Sequence, residues 1–183
     1  MQQLTHNTQA MQQATTLIAQ YPLATVIAHH HPAQVCHLPL SYHSSEQCFY
    51  GHSAKNNPVI NALTHSEQNQ VKLIFIGQHS YISPTWHQDI HVPTWDYAAV
   101  HVNGHIEEIK ETTQKQQLMS TQISQYEPTW QLTDLSPDKQ QTMLKAITVF
   151  KIHADSFYGK FKLSQNKSAP AQKAIAKRRI SGV

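Results

Sequence analysis

The sequence predicts a β-rich α+β domain: an antiparallel sheet closed into a barrel, with helices at its margins. Three observations carry this. Short β-like runs follow one another in hairpin order: LATVIA at 23–28, QVCHLPLSYH at 34–43, QCFYGH at 47–52, VKLIFIG at 71–77 and YAAVHVNGHIEEI at 97–109. The helical periodicities come mostly at the two ends of the chain. A length of 183 residues, 39% hydrophobic and 14% charged, suits a single compact domain over 1–183.

Each element has its own local reason. Residues 8–20 place Met11, Ala14, Leu17 and Ile18 three and four apart behind possible caps Asn7 and Thr8, so the N-terminal 1–20 segment is a short amphipathic helix ending before Pro22. The first three β-like runs read as a meander, broken by His29, His30, His31 and Pro32. Asn57 before Pro58 sets an N-cap and a first-turn proline, so VINALTH at 59–65 is helical. The stretch QHSYISPTWHQDIHVPTW at 78–95 is too rich in Pro, Trp and polar groups to be regular, and a long loop of this kind is often functional. Thr113 to Tyr126 reads as a polar helix, Ser136 with Pro137 opens another, and TVFKI at 148–152 is a last strand.

Charge is divided unevenly. Residues 1–155 hold 7 Lys against 11 Asp or Glu, and residues 156–183 hold 7 Lys or Arg and no acid. The basic tail, 167–183, is expected to be a solvated end, with weak non-specific contact to DNA phosphates as a further role. No apolar run approaches the roughly 20 residues of a membrane span, and the opening MQQLTHNTQAMQQ lacks a secretory pattern. The expectation is a cytoplasmic protein with Cys36 and Cys48 reduced.

Several chemistries are disfavoured. Adjacent histidines on an extended turn point to opposite faces, which argues against a dedicated metal site. No nucleophile elbow, phosphate loop or dinucleotide fingerprint is present, and no helix pair suggests sequence-specific DNA reading.

Five motifs instead share a density of aromatic and hydrogen-bonding residues: HLPL at 37–40, GHSAKNNP at 51–58, YISPTW at 81–86, VPTWDYAAVH at 92–101 and GKFKLSQN at 159–166. Their order and spacing resemble the PaiB family of flavin-mononucleotide-binding proteins over about residues 20–167. The resemblance implies an FMN-binding split β-barrel like that of pyridoxamine phosphate oxidase. It also implies a homodimer with FMN in clefts between subunits, and a role as a negative transcriptional regulator. The chain departs from the family pattern at Asp96, where Asn is common, and after Asn166, where Lys167 replaces an arginine.

The chemistry of these residues suits FMN. Lys55 is the only basic residue in 1–71 and sits between a predicted strand end and a helix start, so it is the leading phosphate ligand. His52 and Ser53 offer hydrogen bonds beside it. The segment His37, Leu38, Pro39, Leu40 can present backbone groups to the ring edge, with Pro39 keeping that edge unpaired. Trp86, Trp95 and Tyr97 offer flat walls, although Trp86 and Trp95 suit a dimer core equally. Ser83, Thr94, Ser164, Gln165 and Asn166 can serve the ribityl and pyrimidine groups or satisfy turn backbone. Of Lys160 and Lys162, which alternate, Lys162 is favoured to face inward. Beyond FMN binding, the alternatives are an FMN-dependent oxidoreductase of the pyridoxamine phosphate oxidase-like class and a heme-binding or heme-degrading split barrel. No catalytic residue is marked.

Overall fold

The computed structural model describes residues 1–4, 8–29 and 34–180. The cap Asn7 and the tract His30, His31, Pro32 lie outside them. In chain order the elements are β1 (Gln2–Gln3), α1 (Thr8–Gln20), β2 (Leu23–Ala28), β3 (Val35–Pro39), β4 (Ser41–His43), β5 (Cys48–Ala54), α2 (Pro58–Thr64), β6 (Gln70–Ile82), β7 (Thr94–Ile109), α3 (Thr112–Tyr126), α4 (Pro137–Lys145), β8 (Ile147–Lys162) and α5 (Ala169–Ile180). Short 3-10 turns cover Pro84–Trp86 and Leu132–Asp134.

All strand pairings are antiparallel, in the order β3-β2-β6-β7-β8-β5-β4, with β1 added to the second half of β8. The two ends of this order, β3 and β4, are consecutive in the chain and joined by the single residue Leu40. One bent segment therefore closes the sheet into a barrel. The bend is held by the Leu40 N–H, which donates to the Pro22 carbonyl at 2.9 Å, and by its buried side chain. Gly51 packs closely opposite it: a Cβ there would lie 2.5 Å from Leu40 Cδ2 and 3.0 Å from the Phe150 ring, so those side chains would have to shift.

The predicted three-strand meander is thus two separate hairpins, β2–β3 and β4–β5, at opposite ends of the strand order. Two further expectations change. The irregular stretch 78–95 shrinks to the connection between β6 and β7, because the register shift after Ile76 lets the sheet resume at His79↔Tyr97 and run to Ile82↔Thr94. TVFKI lies in the first third of the 16-residue β8, which pairs β7 from Val149 to Lys162. A second bulge at Asn103/Gly104 needs its glycine, since a Cβ on Gly104 would meet the His153 carbonyl oxygen at 2.2 Å.

The barrel core is Phe49, Phe75, Phe150, Leu73, Val100, Val102 and Ile152, with Phe49 stacked on Phe75 at 5.5 Å between ring centres. Helix α1 adds Ala14, Leu17 and Ile18, and α2 adds Val59, Ile60 and Leu63. The basic tail is not a free end: α5 buries Ala171 and Ile175, four residues apart, against Ile82 at the end of β6 and Ile90 of the β6–β7 connection. Ser168, just before the helix, hydrogen-bonds the Asp89 carboxylate. Among the described residues, no helix is long and apolar enough to cross a membrane.

Candidate functional site

Along β5 the side chains alternate. Phe49 and Ser53 are buried with the barrel core, whereas Cys48 and Tyr50 pack outward against Leu118 and Met119 of α3, with His52 half-buried on the same side. Helix α3 has no fully buried residue, so polar bonds help hold it down. Gln122 Nε2 donates to the Tyr50 carbonyl at 3.1 Å, Gln122 Oε1 lies 3.0 Å from His52 Nδ1, and Ser41 Oγ donates to Gln125 Oε1 at 2.9 Å. Its start is capped by Glu111, whose carboxylate accepts from the N–H groups of Thr113 and Gln114, and these bonds hold that carboxyl below its ordinary range.

Two cavities lie beside this helix. An apolar one of about 290 Å³ is bounded by Pro39 and His52 on the barrel side and by Met119, Ile123, Tyr126 and Trp130 on the other. A polar one of about 210 Å³ is bounded by Lys55, Lys115, Lys145, Glu108, Thr112 and Thr148. The α3 residues that reach them, Thr112, Lys115, Met119, Gln122, Ile123 and Tyr126, recur at helical spacing on one face. That face runs from the lysine-rich cavity to the apolar one. Sequence motifs brought out Pro39, His52 and Lys55; Lys115, Lys145 and Trp130 sit in no motif and are joined to them by the fold.

Nearby chemistry is quieter. Tyr50 donates to Glu46 Oε2 at 2.5 Å, and this bond to a carboxylate, with burial, pushes the phenol up to about 12. The Cys48 thiol lies 3.3 Å from His153 Nδ1 and is pushed above its ordinary value, chiefly by burial, which makes it a poor nucleophile.

The other sequence-named residues divide by element. On β3, His37 and Pro39 are exposed and Leu38 half-buried; the Leu40 N–H is already committed to Pro22. Ser53 is buried and donates to the Ala54 carbonyl at 3.2 Å. Lys55 is exposed, and its N–H donates to the Ala146 carbonyl at 2.9 Å. The start of α2 is not an open anion site, because Asn57 Oδ1 accepts from the N–H groups of Val59 at 3.0 Å and Ile60 at 3.2 Å.

The remaining residues gather at the far end of β6, β7 and β8. Ser83 caps the turn that contains Trp86, and Trp86 packs on the cluster that α5 covers. Lys162 Nζ donates to Thr94 Oγ1 at 2.5 Å and to the Trp95 carbonyl at 2.7 Å. Trp95 and Tyr97 stand exposed on one face, and Asp96 between them is buried on the opposite face. Ser164 is buried with φ of 59°, and Gln165 folds back to accept from the Leu163 N–H at 2.8 Å and donate to the Phe161 carbonyl at 2.6 Å. Asn166 is exposed. Gln165 here serves its own turn.

The antiparallel sheet closed into a barrel is a split barrel of the pyridoxamine phosphate oxidase-like fold, and solved structures agree on that fold. A FAD- and heme-binding protein from Mycobacterium smegmatis superposes with TM-score 0.65 at 16% identity, covering 91% of this chain and 77% of its own. A protein of the pyridoxinephosphate oxidase family from Clostridium acetobutylicum gives 0.54 at 12% identity, covering 85% and 91%. The chain belongs to the family described as "Putative FMN-binding domain", whose model matches residues 2–156. It is 34% identical over 137 residues to the Bacillus subtilis protease synthase and sporulation protein PAI 2, covering 72% of this chain and 65% of that protein, which supports the PaiB assignment. It is also 31% identical over 148 residues to an uncharacterized Emericella nidulans protein, covering 63% and 59%. The chain thus spans a little under two thirds of the length of these relatives.

Proposed function

We propose that this protein is a homodimeric FMN-binding regulator whose flavin lies along α3, phosphate toward Lys55 and ring toward Pro39 and His52. The observation that carries this is the pair of cavities on a single helix face, one rich in lysine and one apolar. FMN has the same polarity, with a dianionic phosphate at one end and a flat, largely apolar ring at the other. His52 and Gln122 supply the few placed polar groups that orient a ligand in an apolar pocket. FMN, when bound, supplies reversible electron transfer; this chain supplies charge at one end and an apolar wall at the other.

The subunit contact in this reading is the outer face of β6 and β7, where Ile76, Tyr81, Trp95 and Tyr97 are exposed together, so the flavin lies on another flank and not in the cleft between subunits that the resemblance implies. The regulatory role rests on flavin state and on the basic face of α5, where Lys173, Lys177 and Arg178 are exposed, with DNA contact weak and indifferent to sequence. Substitution of Lys173 and Lys177 by Gln tests that contact better than truncation, because removing α5 uncovers Ile82 and Ile90. An FMN-dependent oxidoreductase is the second reading, favoured by a third cavity of about 560 Å³ beside α1, lined by Gln9, Gln12, Gln13, Gln78 and Gln165, which offers substrate room.

The deciding experiment is flavin titration of the purified protein by fluorescence, with light scattering. Tight FMN binding by a dimer is the expected result. A protein that binds neither FMN nor riboflavin overturns the reading.

A further inference from the structure

We infer that Lys115 and Lys145, together with Lys55, form the site that selects the phosphate of FMN, and that Glu108 tunes it. The inference rests on the FMN reading above and goes beyond the sequence motifs, none of which includes these three additional residues.

The argument starts from what the start of α2 lacks. With two of its first N–H groups taken by Asn57 Oδ1, and with only seven residues, α2 has little to offer an anion. The charge must come from side chains. Three lysines from three different elements line the same small cavity: Lys55 after β5, Lys115 on α3 and Lys145 in the last turn of α4. Glu108, near the end of β7, is the only carboxylate among the lining residues, and its Oε1 lies 3.9 Å from Lys115 Nζ. Both partners are largely withdrawn from solvent, with side chains 19% and 15% exposed. A partly buried ion pair is less screened than a surface one, so its charges act strongly on whatever enters.

Three cations and one carboxylate leave a formal charge of +2, which a phosphate monoester dianion neutralises. Thr112 and Thr148 add hydroxyl groups at the wall. The cavity, at about 210 Å³, has room for a phosphate group but not for an isoalloxazine ring as well, and this places the ring elsewhere along the helix face. Without ligand, Glu108 occupies Lys115. An entering phosphate competes for the same ammonium and is repelled by the carboxylate, so Glu108 sets affinity and Lys115 and Lys145 set preference for the phosphorylated flavin.

The test measures FMN and riboflavin affinities side by side in the full chain. Lys115→Met and Lys145→Met are each expected to weaken FMN by about tenfold, the scale of one charge-assisted hydrogen bond, and to leave riboflavin unchanged. Glu108→Gln is expected to tighten FMN and leave riboflavin unchanged. Because Lys115→Met strands Glu108, the double variant Lys115→Met/Glu108→Gln, checked by circular dichroism, separates lost phosphate contact from lost folding. FMN affinity unchanged in both lysine variants overturns the inference while leaving the FMN reading intact. Equal losses of FMN and riboflavin in the folded double variant overturn it too. Wild-type protein that binds neither flavin overturns the FMN reading itself.

Discussion

On the β5–β8 side of the barrel the outward residues Cys48, Tyr50 and Val149 are roofed by Leu118 and Met119 of α3, whereas on the β6–β7 side Ile76, Tyr81 and Trp95 stand about half exposed, at 50%, 46% and 55%. Both faces belong to the same sheet and both are rich in apolar side chains, so strand propensity does not distinguish them. The chain between β7 and β8 does. It supplies α3 and α4 to one flank and nothing to the other. A roof pinned by Gln122 and Ser41, with no fully buried residue of its own, fits its floor imperfectly, and cavities line its edges. A bare apolar face has no such gaps and is completed only by another molecule. In the function proposed above, the covered flank takes the flavin and the open flank takes the partner subunit.

The largest effect removes the support common to both flanks. Phe49→Ala opens a cavity where Phe49 meets Phe75 and Tyr42, and is expected to cost about 3–5 kcal/mol in urea unfolding. A loss under 1 kcal/mol would mean that the core is far less tightly packed than the stacked rings indicate. Next comes the open face. Tyr81 and Trp95 are cross-strand partners in edge contact, 6.2 Å between centres, and Trp95→Asp is expected to weaken self-association by about 2 kcal/mol or more. If the proposed dimer forms through this face, light scattering should show the variant monomeric at concentrations where the wild type self-associates, with thermal stability of the monomer little changed. A variant that stays dimeric breaks the contrast between the flanks.

How much of this the sequence made visible follows from where the stabilising partner lies. Helices with their own apolar periodicity or caps, α1, α2 and α4, are visible because the signal is local. Strand β8 is underestimated after Ile152 because His153, Asp155 and Ser156 interrupt the apolar pattern, and it is pairing with β7 throughout, with β5 at His153 and with β1 at Tyr158 and Gly159, that keeps this half in the sheet. Helix α5 has just Ala171 and Ile175 to bury, and their partners Ile82 and Ile90 are some ninety residues earlier in the chain. The same reason explains the site. Pro39, His52 and Lys55 lie in recognisable motifs, whereas Lys115, Lys145 and Trp130 are single polar or aromatic residues whose importance depends on three elements meeting. Gln165 and Lys162 also carry ligand-type groups, and in the fold these hydrogen-bond to the chain's own backbone and to Thr94.

A smaller effect sharpens the claim that α2 is already capped. Asn57→Ala removes the acceptor for the Val59 and Ile60 N–H groups and is expected to cost about 1 kcal/mol of stability. FMN affinity should change little, because the lysines carry the charge. A large rise in affinity, by freeing those N–H groups for the phosphate, would return the site to the helix start.

The smallest effect belongs to the strand surface beside the roof. Glu107 on β7 accepts from Lys151 Nζ at 3.2 Å and lies 3.4 Å from His153 Nε2. The bond to Lys151, against desolvation and with a further contribution from His153, holds its carboxyl below the ordinary range. A carboxyl depressed on folding stabilises the protein above its unfolded pKa, and that contribution fades as pH falls through the lower folded value. Because the Glu107 side chain is 59% exposed, solvent and salt screen the pair, and its contribution at neutral pH is a few tenths of a kcal/mol. Urea midpoints of wild type and Glu107→Gln should therefore differ slightly at neutral pH and converge both in acid, below the ordinary carboxylate range, and in high salt. A difference that persists in acid would show that Glu107 acts through packing on β7 and not through charge.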